Sequence, residues 1–388
     1  MNRYATLLIG EQCLGADFTY NPPQPVIPVK FEYELKDHME LDSYVSYTSS
    51  LPRLDSPELF GLHPNANVSV QSSKLESMLR DLKLVQRRGP SAYLKDTERI
   101  VESAFARASE LLEKLPPKFD KSELNDKLKK LGGVEIPMNA FLIQEIRSLE
   151  RVLGKVRNES LALQSAVKGS MEIRDSLFDA INDLSANILP KSWSSSGSVG
   201  VCLSSWLRHV LKCHEQLQSW LLDGAPNSYW LKGFKNVKGF FAAVKQEVAR
   251  QSSKKGSDAS MNSLEKLRLH TEITGFDSVE RLTSAPSGGG VYVHGLTLHG
   301  ARWNNGALDE AAANVLSDTM PVMFVTAMNE ESLMKSRRDT FGPRGPFVCP
   351  MYVSSDRSEE SMVATVSLTS KSRPPEHWIL RGTALVCE

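Results

Sequence analysis

The residues with the clearest chemical potential are two histidines and a cysteine on one predicted helix. His209, Cys213 and His214 fall between Leu203 and Leu222, where the spacing of apolar residues predicts a helix. His209 and Cys213 are four residues apart, so they share a helix face and could hold a metal ion together. A structural zinc site needs about four ligands, and the sequence offers no companion cluster. Helix packing is therefore the preferred interpretation, and no metal site is predicted.

Nucleotide binding would require a glycine-rich loop of the pattern GxxxxGK[ST]. In that loop backbone amides hold the phosphates, while lysine and a hydroxyl group serve phosphate and magnesium. The sequence contains no such string. Gly154-Lys155 is followed by Val156 within a helical pattern, and Ser287-Gly288-Gly289-Gly290 reads as a flexible hairpin loop before a strand. We therefore expect no cofactor and neither binding nor hydrolysis of ATP.

The sequence gives equally little support for a catalytic nucleophile or a catalytic base. Ser196-Gly197-Ser198 is a polar loop and lacks the GxSxG pattern of a hydrolase elbow. Cys349 and Cys387 lie on predicted strands, with no cationic cluster nearby in sequence to lower their pKa, which favours buried structural thiols. His294 and His299 flank an irregular predicted strand, where hydrogen-bonded histidines are commoner than catalytic bases. The sequence therefore predicts no catalytic, cofactor-binding or metal-binding residues, and no enzyme.

Composition excludes several classes of partner. Lysine plus arginine and aspartate plus glutamate both number 46, so no overall field favours nucleic acid or acidic membranes. The five cysteines are scattered and include no CxxC pair, which fits a reducing compartment. No run approaches the ~18 apolar residues of a spanning helix, and the first residues do not form a convincing signal peptide. We expect a soluble, intracellular protein without nucleic-acid or membrane partners.

The N-terminal part of the sequence combines an irregular stretch with amphipathic helices. Prolines between Asn21 and Pro28 predict extended or turn conformations over residues 1–50. Helical periodicity then dominates up to about residue 250. The predicted helices are Ser72 to Lys114 with a break at Arg88-Gly89-Pro90, Lys121 to Leu131, Leu203 to Leu222, and Val237 to Arg250.

A long apolar stripe lies between the second and third of these helices. It begins at Asn139, a predicted N-cap, and continues with four-three spacing to Ile188. A helical pair in a globular core and an extended coiled coil both fit this spacing. Polar Ser160 and Arg174 fall on the stripe and Gly169-Ser170 provides a break, which favours the helical pair.

The period changes after a polar linker. Gln251 to Ser260 is rich in serine, lysine and glycine, and is the best internal linker. Beyond it, six alternating stretches predict antiparallel strands in a small barrel or sandwich, with a slip at Gly295 typical of a β-bulge. The strands are Leu267 to Ile273, Val291 to Leu298, Pro321 to Ala327, Phe347 to Ser354, Val363 to Thr369 and Gly382 to Cys387.

Short stretches with unusual aromatic, glycine and proline content recur along the sequence. They are Phe60 to Ala66, Leu189 to Trp193, Gln216 to Trp220, Trp230 to Phe234, Gly300 to Trp303 and Pro374 to Cys387. In this order they resemble motifs of the C-terminal domain of dynein heavy chains. The resemblance runs from about Phe18 to the last residue.

The resemblance implies a fold and a division of the chain. The fold is α+β, with an N-terminal helical bundle region followed by a C-terminal six-stranded antiparallel β-barrel. Residues 1–50 would be a connector from the last AAA+ module, 51–260 the helical part and 261–388 the barrel. Trp303 and Trp378 lie in family-like motifs beside turns, and we expect both to anchor the barrel.

The resemblance also implies a function. The domain would be a non-catalytic regulatory and structural part of a dynein heavy chain, packing across the AAA+ motor ring and modulating microtubule-based motility. Its direct partners would be ring modules, with microtubules and the intermediate and light chains reached only through the whole complex. The FGLH form of the first motif favours the axonemal branch, hence cytoplasm, cytoskeleton and the axoneme of cilia or flagella. The alternative is a free-standing dynein-derived interaction module no longer joined to a motor.

Overall fold

The computed structural model describes most of the chain beyond residue 94. The described residues are 41–50, 68, 71–72, 74–75, 78–79, 95–168, 175–193, 202–254, 266–282, 284–286, 289–312, 315–330, 332–335, 346–354, 357–370 and 373–387. Residues 60–66, with the FGLH motif, lie outside them, as do Ser196 to Ser198, most of the predicted linker and one of the five cysteines, Cys13. The break at Gly169-Ser170 also lies outside the described residues.

Most of the helices lie within the predicted amphipathic stretches, whereas the first and the last of them were not predicted. They are α1 (Leu41–Ser50), α2 (Lys95–Lys114), α3 (Lys121–Lys130), α4 (Pro137–Val167), α5 (Asp175–Ser185), α6 (Leu203–Asp223), α7 (Val237–Lys254) and α8 (Pro375–Leu380). Helix α1 corrects the prediction that residues 1–50 are irregular throughout. Between Pro28 and Pro52 the sequence contains no proline, so nothing interrupts a helix there.

Helix α4 begins earlier than predicted, because Asn139 is not its N-cap. Ile136 occupies the cap position and Pro137 the first helical position. Proline suits this place, where its missing N–H would have had no partner within the helix. Asn139 instead lies inside the first turn, and its Nδ2 donates hydrogen bonds to Leu131 O and Gly133 O, both at 3.0 Å. The side chain therefore ties the preceding turn to α4.

The long apolar stripe packs inside a globular core, as the helical-pair interpretation predicts. Helix α4 contacts α2, α5, α6 and α7. Its buried residues Leu153, Val156 and Leu163 join a cluster with Ala104 and Leu184 from α2 and α5. The extended coiled coil is therefore wrong, because several helices share the stripe.

The strands are shorter and more numerous than predicted. They are β1 (Ser228–Trp230), β2 (Leu267–Ile273), β3 (Val291–His294), β4 (Thr297–His299), β5 (Arg302–Asn304), β6 (Ala307–Asp309), β7 (Ser317–Thr319), β8 (Met323–Asn329), β9 (Phe347–Tyr352), β10 (Met362–Leu368) and β11 (Ala384–Val386). In the described residues they form a four-stranded sheet of order β1-β3-β8-β2, a five-stranded sheet of order β10-β9-β11-β4-β7, and the pair β5-β6.

The predicted six-stranded antiparallel barrel is not confirmed. Among the described residues these strand pairings form no closed barrel, and two of them, β1 with β3 and β11 with β9, are parallel. The first arises because β1 comes from the helical half of the sequence and joins the sheet edge. The coarser α+β class is confirmed, since helices precede most strands and both share one buried core.

The irregularity predicted at Gly295 is present, but it marks the place where the chain passes from one sheet to the other. Strand β3 ends at His294 in the four-stranded sheet, and β4 starts at Thr297 in the five-stranded sheet. Gly295 has φ +82°, a conformation that glycine adopts without strain. The backbone therefore crosses between two sheets where a single bulged strand was predicted.

One buried cluster connects the helices with both larger sheets. It includes Leu142 of α4, Trp220 of α6, Phe240 of α7, Val325 of β8 and Leu385 of β11. Aromatic rings meet within it, some of them edge-on: Phe141 with Phe234 at 5.1 Å between ring centroids, and Trp220 with Tyr229 at 4.9 Å. The α6–β1–α7 region therefore positions the sheets on the helices.

Candidate functional site

The histidine and cysteine candidates of α6 separate into two environments. His209 Nε2 and Cys213 Sγ lie 3.5 Å apart and form a hydrogen bond. His214 points elsewhere, with its ring centroid 4.6 Å from that of Phe119. Burial lowers the pKa of both histidines and raises the pKa of the Cys213 thiol to about 12. Among the described residues no three histidine, cysteine or acidic side chains are grouped to hold a metal.

The thiols of Cys349 and Cys387, both predicted to lie on strands, lack the features of a reactive cysteine. Cys349 and Cys387 are buried, and burial raises the pKa of each to about 12. A nucleophilic cysteine requires the opposite shift, because the thiolate is the reactive form. Cys202 is exposed, and its Sγ lies 3.1 Å from Ser204 Oγ. Cys349, on β9, and Cys387, directly after β11, are therefore poor nucleophiles.

His294 is held in a neutral state by its surroundings. Its Nδ1 lies 2.8 Å from Ser228 Oγ, a contact that joins β3 to β1. Burial, with a smaller contribution from Lys212, lowers the pKa of His294 to about 4. His299 lies on β4, which pairs with β7 and β11, so both histidines are part of the sheet framework.

Trp193 has a structural role in the stretch from Leu189 to Trp193. The side chain is buried at the end of a short 3-10 helix, and its indole Nε1 donates to Glu159 Oε2 at 2.6 Å. Ser192 Oγ donates to the same carboxylate oxygen at 2.8 Å. The motif therefore fastens the segment after α5 to α4.

The ring of Trp230 lies close to groups from α6 and from the crossover between β3 and β4. Lys212 Nζ lies 4.1 Å from the centre of the Trp230 ring, and the centroid of the His209 ring is 5.4 Å away. A Cβ added to Gly295 would lie 2.4 Å from Trp230 Cδ1, so only glycine fits there. The sheet crossover and the aromatic turn therefore depend on one another.

Glu145 is a buried carboxylate that the sequence did not reveal as a structural centre. Its two oxygens accept hydrogen bonds from the backbone N–H groups of Lys235, at 2.7 Å, and Asn236, at 3.2 Å. Burial raises the pKa of Glu145, although these two donors act in the opposite direction. The carboxylate fixes the start of α7 on α4. A lone acidic residue inside a helical stripe was the only signal, and it does not reveal a partner 90 residues away.

The C-terminal motif is held by one acidic residue. Glu310 Oε1 lies 3.1 Å from Arg373 Nη2 and 3.6 Å from His377 Nε2, and Glu310 Oε2 lies 3.2 Å from Arg381 Nη2. Trp378 is fully buried, and its Nε1 donates to Ser370 Oγ at 2.9 Å. Glu310 was also hidden at the level of sequence, because it lies far from these partners along the chain.

Two of the family-like stretches meet directly. Gly300, which opens the Gly300 to Trp303 stretch, has φ +76°, and an added Cβ would lie 2.7 Å from Arg381 O. Trp303 N donates to Asp318 Oδ2 at 3.1 Å. The described motif residues thus serve packing and the fixation of one segment on another. Among these described residues, none forms a reactive pair.

The chain matches a known protein family over most of its length. The family model for the C-terminal domain of the dynein heavy chain matches residues 72–387. The protein is 34% identical over 390 residues to dynein axonemal heavy chain 5 of Mus musculus, covering 100% of this chain and 8% of that protein. It is 33% identical over 352 residues to dynein axonemal heavy chain 8 of Homo sapiens, covering 90% of this chain and 7% of that protein.

A flagellar relative shows similar identity. The dynein gamma chain of the flagellar outer arm of Chlamydomonas reinhardtii is 31% identical over 367 residues, covering 92% of this chain and 8% of that protein. The chain belongs to the family of C-terminal domains of dynein heavy chains, a non-catalytic region of those proteins. It spans 7% to 8% of the length of these three relatives. Within the described residues, no helix has the length and apolar character to cross a membrane.

Proposed function

We propose that this chain is a regulatory and structural part of an axonemal dynein heavy chain. In this role it packs across the AAA+ motor ring and biases the movements of the ring, but it catalyses no reaction itself. The observation that carries the proposal is the match to the family over residues 72–387. The chemistry of the described residues supports it, since burial raises the pKa of three thiols and the motif side chains hold the fold together.

The physical basis is differential contact. A rigid domain that touches several ring modules binds some ring conformations more favourably than others. It therefore shifts the populations of those conformations and couples distant modules. The continuous core from α4 to β11 favours such rigidity, because helices and sheets share one buried cluster.

The proposed partners and location follow from the same role. The direct partners are ring modules of the heavy chain, in cis or in trans. Microtubules and the intermediate and light chains are reached only through the whole complex. The location is the cytoskeleton and, by similarity to axonemal and flagellar relatives, the axoneme of a cilium or flagellum. Residues 51–260 would be the helical part of the domain, and residues 261–388 the part built from the two larger sheets.

Cross-linking tests the proposed docking. The complete motor that contains this sequence is treated with a lysine-reactive cross-linker, and cross-linked peptides are identified by mass spectrometry. Cross-links from exposed lysines of this domain to at least two AAA+ modules are expected. Cross-links confined to the domain itself, in a motor that still hydrolyses ATP, would contradict docking across the ring. Mapping the transcript for upstream AAA+ coding sequence distinguishes cis from trans.

A further inference from the structure

Helix α4 separates its charged side chains by sign. Its three acidic residues are all engaged inside the domain. Glu145 accepts from backbone N–H groups at the start of α7, and Glu150 accepts from a backbone N–H just before α3. Glu159 accepts from the indole N–H of Trp193. Among its four basic residues, Arg157 also turns inward and donates to a backbone oxygen.

The other three cations of α4 form a stripe on the surface. Arg147, Arg151 and Lys155 are exposed, and they follow one another at intervals of four residues. They therefore lie on one face of the helix over a length of about 12 Å. In the part of the chain that the structure describes, none of the three forms an ion pair. Because like charges at this spacing destabilise a helix, carboxylates from outside the domain would stabilise α4.

A glycine that the fold does not require lies on the same exposed face. Gly154 is inside the 31-residue helix α4, where glycine is less favourable than alanine. Apart from its own stretch of helix, a Cβ added there would meet no described atom within 4 Å. Packing among the described residues therefore does not explain this glycine, whereas close approach of a partner does. Leu161, seven residues further along this face, is 51% exposed and borders the surface.

We propose that this face of α4, formed by Arg147, Arg151, Gly154, Lys155 and Leu161, docks an acidic helix of a partner protein. Carboxylates at four-residue intervals on the partner helix pair with the three cations, because both helices repeat at the same spacing. A small residue of the partner lies over Gly154, and an apolar one contacts Leu161. The inference does not rest on the proposed function, since it uses only the charges and the packing of α4.

The size and composition of the stripe favour a protein partner over a nucleic acid. Proteins that bind single strands combine a positive groove along the backbone with aromatic side chains on which the bases stack. The stretch from Gln144 to Asn158, which includes the stripe, contains no aromatic residue. A short row of carboxylates on a helix matches this surface better.

Helical peptides test the chemistry and the geometry of the partner. A fluorescein-labelled, alanine-based peptide carries three glutamates at four-residue intervals, and anisotropy is measured as the complete protein is added. Saturable binding that weakens with added salt is expected. An isomer with its glutamates distributed around the helix, checked for equal helicity by circular dichroism, should bind about threefold to tenfold more weakly. Equal binding of the two peptides, or binding of neither, would overturn the proposal.

Charge variants locate the binding site. Lys155→Glu should weaken binding of the striped peptide about threefold to tenfold, the range expected for reversing one exposed ion pair. Lys266→Glu makes the same charge change at an exposed position directly before β2, and should leave the affinity unchanged. Equal weakening by both variants would mean general charge attraction. That result, or unchanged binding in both variants, would contradict a site on α4.

A bulky residue at position 154 separates docking from folding. Because an added side chain meets open space there, Gly154→Leu should unfold at an unchanged or higher urea concentration. The same variant should bind the striped peptide more weakly, since leucine holds the two helices apart. Unchanged or tighter binding by a folded Gly154→Leu would contradict close approach at this position.

Competition distinguishes a protein partner from a nucleic acid. Unlabelled striped peptide should displace the labelled peptide, whereas single-stranded oligouridylate at the same concentration of negative charge should displace it much less. Equal displacement by the two competitors would identify a general polyanion surface and would overturn the choice of partner.

The protein's own N-terminal residues are the competing occupant. Glu32, Glu34, Asp37 and Glu40 make the end of residues 1–40 rich in acidic side chains. A full-length variant with glutamine at these four positions should bind the striped peptide with unchanged affinity. Binding that appears or tightens only in this variant would identify residues 32–40 as the occupant and would overturn the assignment to a partner.

Discussion

The side-chain amide of Gln216 on α6 bonds to both backbone polar groups of Trp230. Its Oε1 accepts from Trp230 N at 2.8 Å, and its Nε2 donates to Trp230 O at 3.2 Å. Trp230 ends β1, which pairs in parallel with β3. One glutamine therefore links a helix to the edge of the four-stranded sheet, and it joins two of the family-like stretches.

Removing this amide should destabilise the fold. Gln216→Ala leaves two partly buried backbone groups without their partner and should lower the free energy of unfolding by about 2 kcal/mol. Gln218→Ala is a matched control, because Gln218 is exposed on the same helix and should change stability by less than about 0.5 kcal/mol. Urea denaturation followed by circular dichroism measures both. Equal stability of the two variants would show that the Gln216 contacts contribute nothing.

The two tryptophans expected to anchor the strands should differ. Trp378 is fully buried, whereas Trp303 is half-buried at the margin of the main core cluster. Trp378→Ala should lower the free energy of unfolding by about 3 to 5 kcal/mol, and Trp303→Ala by about 1 to 2 kcal/mol. Thermal unfolding compares the variants. An unchanged midpoint in Trp378→Ala would contradict its role as an anchor.

Acidification should weaken the fold through His294. Because burial depresses its pKa from 6.5 to about 4, this group contributes no penalty to the folded state above pH 6.5. As pH falls from about 6.5 towards 4, the unfolded state binds the proton more readily and stability is lost. After allowing for partial exposure, the loss between pH 7 and 4.5 should be about 1 to 2 kcal/mol.

A non-titrating variant isolates this contribution. His294→Gln cannot gain a proton, so its unfolding free energy should fall less steeply over the same pH range. Burial also lowers the pKa of His209, His214 and His377, and these groups titrate in both proteins. The difference in slope between the two proteins therefore reports His294. Parallel slopes would mean that His294 is not held neutral.

Local patterns predicted the helices well, and distant contacts explain most of what was missed. The stripe that defines α4 depends on residues within a few turns, so its period was visible in the sequence. Strand β1 has only three residues, and it pairs with β3 in parallel. A parallel pair has no hairpin turn between its strands, so no local signal in the sequence predicted it. Glu310 was equally hidden, because Arg373 lies 63 residues away and no local pattern relates them.

The protein should show no specific affinity for ATP. The sequence contains no GxxxxGK[ST] string, the pattern in which backbone amides and a lysine hold the phosphates of a nucleotide. Titration of a fluorescent ATP analogue with magnesium should give no saturable signal at micromolar concentrations. A signal that unlabelled ATP displaces would contradict the expectation that this domain binds no nucleotide.

In its proposed role, this domain changes the mechanical output of a motor that hydrolyses ATP elsewhere. Because α4, α6 and α7 share one buried cluster with both larger sheets, the cleanest test removes the whole segment corresponding to residues 72–387 from the complete motor protein. Electron microscopy of the truncated motor first establishes that the ring is intact. Single-molecule measurement under load should then show altered force or run length while basal ATP turnover persists. Unchanged force and run length in an intact ring would contradict the regulatory role, and complete loss of ATP turnover would identify the domain as an obligate scaffold.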